Sequence, residues 1–154
     1  MLFRSHIALL REASELGDIL VAGLNSDEWL TRKKGKPFMS FNERKIVLNA
    51  IQWVDTVWSF DDSDNTACDL LKKVREYYLQ DTSETYEFVF ANGGDRIEAN
   101  NAEINVEGWE FVYGIGGFDK KNSSSKILKD WNTLSKTKTL TASFKRSEFL
   151  KRLS

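Results

Sequence analysis

Apolar and polar positions follow two periods along this chain, and the changes of period mark its elements. Through residues 5–16 apolar side chains recur every three or four positions, at Ile7, Leu10 and Ala13, which predicts an amphipathic helix that stops at Gly17. Asp18 alone separates it from residues 19–24, ILVAGL, which carry no charge and read as a strand covered on both faces, as parallel strands are. Asn25 or Ser26 then caps a short helix containing Asp27, Glu28, Trp29 and Leu30. In residues 31–40, TRKKGKPFMS, the period is lost, and a mobile loop is predicted. Ser40 and Glu43 form a capping box that opens a helix with Ile46, Val47, Ala50 and Ile51 as its expected buried stripe. Residues 55–60 read as a second strand.

Beyond an acidic loop at 61–65, Ala67, Leu70, Leu71, Val74, Tyr77 and Tyr78 stand at helical spacing. The polar linker 80–85 leads to a third strand, 86–91, and a fourth follows at 109–115. A helix over 125–131 comes next, then a basic stretch in which at most a small amphipathic helix from Ser147 is expected. Four strands alternating with helices build an α/β protein with a doubly wound parallel sheet and right-handed crossovers. The chain opens on a helix, so the strand that would feed it is lacking and the sheet is expected to have a hole at its centre. A start upstream of Met1, or a longer parent sequence, is therefore expected. Residues 1–135 are read as the domain and 136–154 as a basic tail.

Composition narrows the classes. A chain of 154 residues with 41% hydrophobic and 29% charged positions buries a core without disulfide or metal staples. A net charge of −1 gives no electrostatic argument for a nucleic-acid partner. Cys68 is the only cysteine; it excludes an intramolecular disulfide, suits a reducing cytoplasm, and is expected as a buried thiol on an apolar helix face. No stretch approaches the roughly 20 apolar residues of a membrane helix. The first helix, with Arg11, Glu12 and Glu15, is unlike a signal peptide.

The candidate chemistry concerns anions. His6, the only histidine, starts the first helix, where free N–H groups and the macrodipole attract phosphate. Arg32, Lys33, Lys34 and Lys36 place four cations in five positions, as an anion-binding loop or a solvated one. Asn92, Gly93, Gly94 and Asp95 follow the third strand, where ligands of open α/β sheets bind. Ser123, Ser124 and Ser125, preceded by Lys120 and Lys121, suit either helix capping or phosphate oxygens. Asp61, Asp62 and Asp64 read as a solvated turn with capping groups rather than metal ligands.

Taken together, MLFRSHIALLREASELGDILVAGLNSDEW, the KKGKP loop, the N-E-R-K helix ending in Trp53-Val54-Asp55 and the serine cluster resemble the cytidylyltransferase-like nucleotidyltransferases. That superfamily starts its first helix with H-x-G-H, and the resemblance covers about residues 1–131. Ala91-Asn92-Gly93-Gly94-Asp95 and Gly116-Gly117 are most similar to the branch around D-glycero-D-manno-heptose 1-phosphate adenylyltransferase, with glycerol-3-phosphate and ethanolamine- or choline-phosphate cytidylyltransferases as cousins. The resemblance implies a Rossmann-like fold lacking its first strand. It also implies transfer of a nucleotidyl group from ATP or CTP, with Mg²⁺ on the phosphates, to a sugar or alcohol phosphate, and release of pyrophosphate.

By the same resemblance His6 would hold an α-phosphate oxygen, Lys33 and Lys34 would close over the phosphates, and Ser123 to Ser125 would cradle the outer ones. Ser5, Arg44 and the segment Asn92 to Asp95 would line the nucleotide. A homodimer is among the arrangements the resemblance allows. This chain departs from the tetrapeptide at Phe3 and Ser5, with Arg4 as a partial substitute for the lost donor, and the family's G-x-F-D segment would lie upstream. Two further readings stay open: a degenerate or truncated homologue that binds nucleotide without turnover, and an unrelated α/β module whose serines only cap.

Overall fold

The apolar stripe of residues 5–16 forms the first helix, α1 (Arg4–Ser14), with Ala13 buried. The computed structural model describes residues 4–93, 98 and 101–117, all within a unit spanning Met1–Lys120. The expected helix at 125–131, the boundary at 135 and the basic tail lie outside the described residues.

After α1 come β1 (Val21–Leu24), α2 (Asp27–Lys34), α3 (Phe41–Asn49), β2 (Thr56–Ser59), α4 (Cys68–Tyr78), β3 (Val89–Gly93), a 3₁₀ turn (Ala102–Asn105) and β4 (Glu110–Ile115). β1 pairs with β2 in parallel from Val21↔Thr56 to Leu24↔Ser59. β3 pairs with β4 in parallel from Val89↔Glu110 to Gly93↔Ile115, with an irregularity between Ala91 and Gly93. The alternation of helices and parallel strands is the Rossmann-like α/β arrangement expected from the pattern. The ladder is not continuous: β1–β2 and β3–β4 form separate two-stranded sheets.

The core lies against β1 and β2, where Ala22, Leu48 and Val57 cluster with Leu10, Leu24 and Val54. Leu70, Leu71 and Val74 supply the buried face of α4, as their spacing predicts. From Trp58 a run of ring contacts passes through Tyr77, Tyr78, Tyr86, Phe88 and Trp109 to Phe90 and Phe111. It links β2 to β3 and β4 by way of α4.

Five local expectations are corrected. Ile46 is 70% exposed and Val47 is exposed, while Leu48 is buried. The capping box fixes where α3 starts, and Arg44 is anchored to the turn after β1, so the Arg44–Leu48 face turns inward. The basic stretch is helical as far as Lys34, because cations in the last turn oppose no dipole and Gly35 closes the helix with its N–H on the Thr31 carbonyl. Cys68 is half-buried, since it opens α4 facing the 3₁₀ turn, with Sγ 4.0 Å from the Ala102 carbonyl oxygen. Asp62 is 4% exposed rather than solvated. The strand expected from residue 19 enters the ladder only at Val21, because the Leu20 N–H donates to the Asp55 carboxylate at 2.7 Å and Ile19 faces solvent.

Candidate functional site

Parallel strands that neighbour each other bring the loops at their carboxyl ends together. Here the turn after β1 meets the loop after β2. The buried Asp62 carboxylate accepts from the Ser26 N–H and hydroxyl, both at 2.7 Å, and from the Asn25 amide at 3.2 Å. Ser26 in turn caps α2 by accepting from the Trp29 N–H at 3.0 Å. Arg32 closes the cluster from α2 by donating to the Asp62 carbonyl at 2.7 Å. Asp62 thus ties α2 at both ends, its carboxylate holding the N-cap Ser26 and its backbone carbonyl holding Arg32.

Arg44 ties the other side of that turn. Its side chain, 10% exposed, donates to the Asn25 carbonyl at 2.8 Å and the Met39 carbonyl at 3.2 Å, and forms an ion pair with Asp27. The Phe41 N–H and then the Arg44 guanidinium hold the Asp27 carboxyl below its ordinary value. Most of the fork of Arg44 is therefore engaged in joining residues 25, 27 and 39, the two ends of the basic segment.

At the other sheet α1 lies over the carboxyl ends of β3 and β4. Gly116, at φ 78°, packs so closely that a Cβ there would stand 2.7 Å from the Leu9 backbone nitrogen. The Gly116 N–H donates to the Glu12 carboxylate at 2.8 Å. This glycine follows a strand not because a ligand must approach it but because a helix does.

A cleft of about 1090 Å³ lies between the two sheets. Ser5 and His6 from the first turn of α1, Lys34 from the end of α2, Arg44, and Asn92 and Gly93 from the end of β3 all border it. Asn92 is 3% exposed, with its amide donating to the Phe90 carbonyl at 3.3 Å. Lys33 is engaged elsewhere, its ammonium 4.5 Å from the centre of the ring of Trp29, a residue that also borders the cleft. Gly94, Asp95, Ser123, Ser124 and Ser125 lie outside the described residues.

The sequence pattern misplaces Asp62 in a solvated turn and gives no sign of Glu103. Glu103 is 1% exposed and accepts from the Ala67 N–H at 2.7 Å, so it caps α4, whose own N-cap residue supplies no side-chain bond. For Asp62 a clue was present: an aspartate directly after β2 falls beside the turn after β1 once the strands pair. Among the described residues no group of three or more His, Cys, Asp or Glu side chains is placed to hold a metal ion. No helix among them is long and apolar enough to cross a membrane.

Comparison with known proteins fits this arrangement. The family model described as cytidylyltransferase-like matches residues 3–130. The bifunctional protein HldE of Citrobacter koseri is 35% identical over 108 residues, which covers 65% of this chain and 22% of that protein. Its counterpart in Geobacter sulfurreducens is 30% identical over 131 residues, 84% of this chain and 25% of that one. Ethanolamine-phosphate cytidylyltransferase of Dictyostelium discoideum is 46% identical over 52 residues, 34% of this chain and 14% of that enzyme. The chain thus spans 25% or less of the length of each of these curated relatives.

Proposed function

Because the chain belongs to the cytidylyltransferase-like family, we propose that it transfers a nucleotidyl group from ATP or CTP to a phosphorylated acceptor. The observation that carries the reading is the single cleft bordered by the first turn of α1 with Ser5 and His6, by Lys34 and by the end of β3 at Asn92 and Gly93. In this reading an acceptor phosphate oxygen attacks the α-phosphorus, the bond to the bridging oxygen breaks, and pyrophosphate leaves. Such a displacement asks the protein for positioning and for positive charge where negative charge gathers. His6 and the N–H groups of α1 hold an α-phosphate oxygen, and Lys34 stands over the outer phosphates. Lys33, directed onto Trp29, must leave that ring to join it. Arg44 acts on the nucleotide mainly by holding Asn25 and the ends of the basic segment in place.

Ser5, Asn92, Gly93, Gly94 and Asp95 line the nucleoside in this reading, and Ser123 to Ser125 take the outer phosphates. Mg²⁺ enters with the NTP, as part of the substrate. The relatives named HldE and ethanolamine-phosphate cytidylyltransferase favour a sugar phosphate or an alcohol phosphate as acceptor. The discontinuity between the two sheets favours a second reading, in which this form binds nucleotide but does not turn it over. Pyrophosphate release separates the two, measured with CTP and ATP against heptose-, glycerol- and ethanolamine-type phosphates and beside a His6→Ala control. Release lowered by 10²-fold or more in the control supports the role of His6. Full activity in that variant overturns it, and nucleotide binding without any release selects the second reading.

A further inference from the structure

Asp62 is a buried ionisable group to which the proposed reaction gives no part. Its side chain is 4% exposed, and it stands three residues beyond Ser59, which is paired with Leu24 at the end of β1. Strand pairing therefore brings Asp62 to Asn25 and Ser26, and its carbonyl is held in its own turn by the Asn65 N–H at 3.0 Å. What Asp62 holds in turn is α2, the helix that ends in the basic segment. None of the eight residues of α2 is buried, so apolar burial leaves both its axis and its rotation weakly determined. Polar ties supply what burial does not. The Asp62 carboxylate fixes the N-cap through the Ser26 N–H and hydroxyl, both at 2.7 Å, and the Asp62 carbonyl accepts from the Arg32 guanidinium at 2.7 Å.

Ties at opposite ends of a helix fix its direction and, because the Arg32 side chain projects from the axis, its rotation as well. Arg32 and Lys34 are two positions apart, about 200° around the helix, while Leu30 and Lys34 share one face. Drawing Arg32 onto Asp62 thus turns Leu30 and Lys34 to the opposite side. Both of these border the cleft, whereas Arg32 and Lys33 do not. A rotation by one position, about 100°, would exchange Lys34 for Lys33. We infer that Asp62 is a positioning residue: it sets the rotation of α2 and so decides which of two adjacent lysines faces the phosphates of a nucleotide in the cleft. The inference rests on the nucleotide reading of the cleft but not on turnover. It gives Arg32, the first of the clustered cations, the task of orienting α2 rather than a share in binding the anion.

The test is nucleotide protection of individual lysines, read by mass spectrometry after brief acetylation of the full chain with and without an excess of ATP or CTP. In the parent, nucleotide should slow acetylation of Lys34 about threefold more than that of Lys33, as mass action on an occupied site requires. In Asp62→Ala and in Arg32→Ala this preference should disappear. Pyrophosphate release supplies a second readout: Asp62→Ala should lower kcat by about tenfold or more in the parent and leave it nearly unchanged in a Lys34→Ala background. A general loss of stability would slow both backgrounds alike. A preference for Lys34 that survives in Asp62→Ala or in Arg32→Ala, or equal kcat losses in the two backgrounds, overturns the inference and leaves the nucleotide reading standing. If Asp62→Ala fails to fold, Arg32→Ala decides alone, since that side chain is 43% exposed. A parent in which ATP and CTP protect neither lysine and release no pyrophosphate overturns the nucleotide reading itself, and the inference with it.

Discussion

Gly23→Ala, midway along β1, tests the packing beneath the cleft more sharply than any other single methyl group. A Cβ at this position would stand 2.1 Å from Leu70 Cδ2, 3.3 Å from Leu70 Cγ and 3.4 Å from Phe60 Cε1. Carbon atoms in contact sit about 3.5–4.0 Å apart, so the Leu70 methyl must retreat by roughly 1.4–1.9 Å. Leu70 is 6% exposed on α4, next to Leu71 and in line with Val74, both buried, so its retreat either presses on them or pushes it into the cleft it borders. Overpacking of this degree costs about 1–3 kcal/mol. Leu70→Ala alone removes a buried side chain at a cost of about 2–5 kcal/mol. In the double variant the new methyl occupies part of the space Leu70 vacates. The two effects should therefore fall short of their sum by 1 kcal/mol or more. Urea unfolding followed by tryptophan fluorescence gives all four corners of the cycle, with Gly17→Ala as a control because nothing lies within 4 Å of its Cβ. Strict additivity, or a destabilisation by Gly23→Ala no larger than that of Gly17→Ala, would refute the reasoning that β1 rests directly on Leu70.

The two adjacent lysines should behave differently. Lys34→Ala is expected to slow pyrophosphate release by about 10²-fold or more. Lys33→Ala should slow it less than tenfold while losing about 0.5–1 kcal/mol of stability with its Trp29 contact; equal kinetic losses would contradict the division. Ser40→Ala breaks the α3 capping box, in which the Ser40 N–H donates to Glu43 at 2.8 Å and the Glu43 N–H donates back to the Ser40 hydroxyl. It should cost about 1 kcal/mol in urea unfolding, and an unchanged midpoint would show the cap to be idle. The Asp27 carboxyl is held below its ordinary value of 3.8 by Phe41 and Arg44. Its contribution to stability is therefore complete above that value and lost as pH falls through the lower folded-state value. Asp27→Asn should be less stable than the parent at neutral pH and lose less on acidification, and parallel stability–pH curves would refute the assignment.

What the sequence determined by itself is local. The 3.6-residue spacing of Leu70, Leu71 and Val74 is enough to state that α4 exists and which face it buries, because a helix must cover that stripe wherever it lies. Ser40 and Glu43, three residues apart, fix the start of α3 for the same reason: both partners of the cap are within one turn. The charge-free run ending at Leu24 announced a parallel strand, although Ala22 is its only buried residue, and the resemblance carried by residues 1–131 named the family that the comparison shows.

The remainder depends on contacts between residues far apart in the chain. Nothing near Ile46 indicates that it faces solvent; that follows from Arg44 reaching back to Asn25 and drawing Leu48 inward with it. Asp62 looked like part of a solvated loop and is buried, because the pairing of β1 with β2 places it beside Asn25 and Ser26. Lys33 and Lys34 are indistinguishable in sequence, yet helical rotation of roughly 100° per residue sends one onto Trp29 and the other to the cleft. A hole at the centre of the sheet was expected from a chain that opens on a helix; the tertiary structure adds that the four strands form two separate ladders with the cleft between them. Strand patterns record which residues want cover, whereas backbone pairing depends on which edges meet.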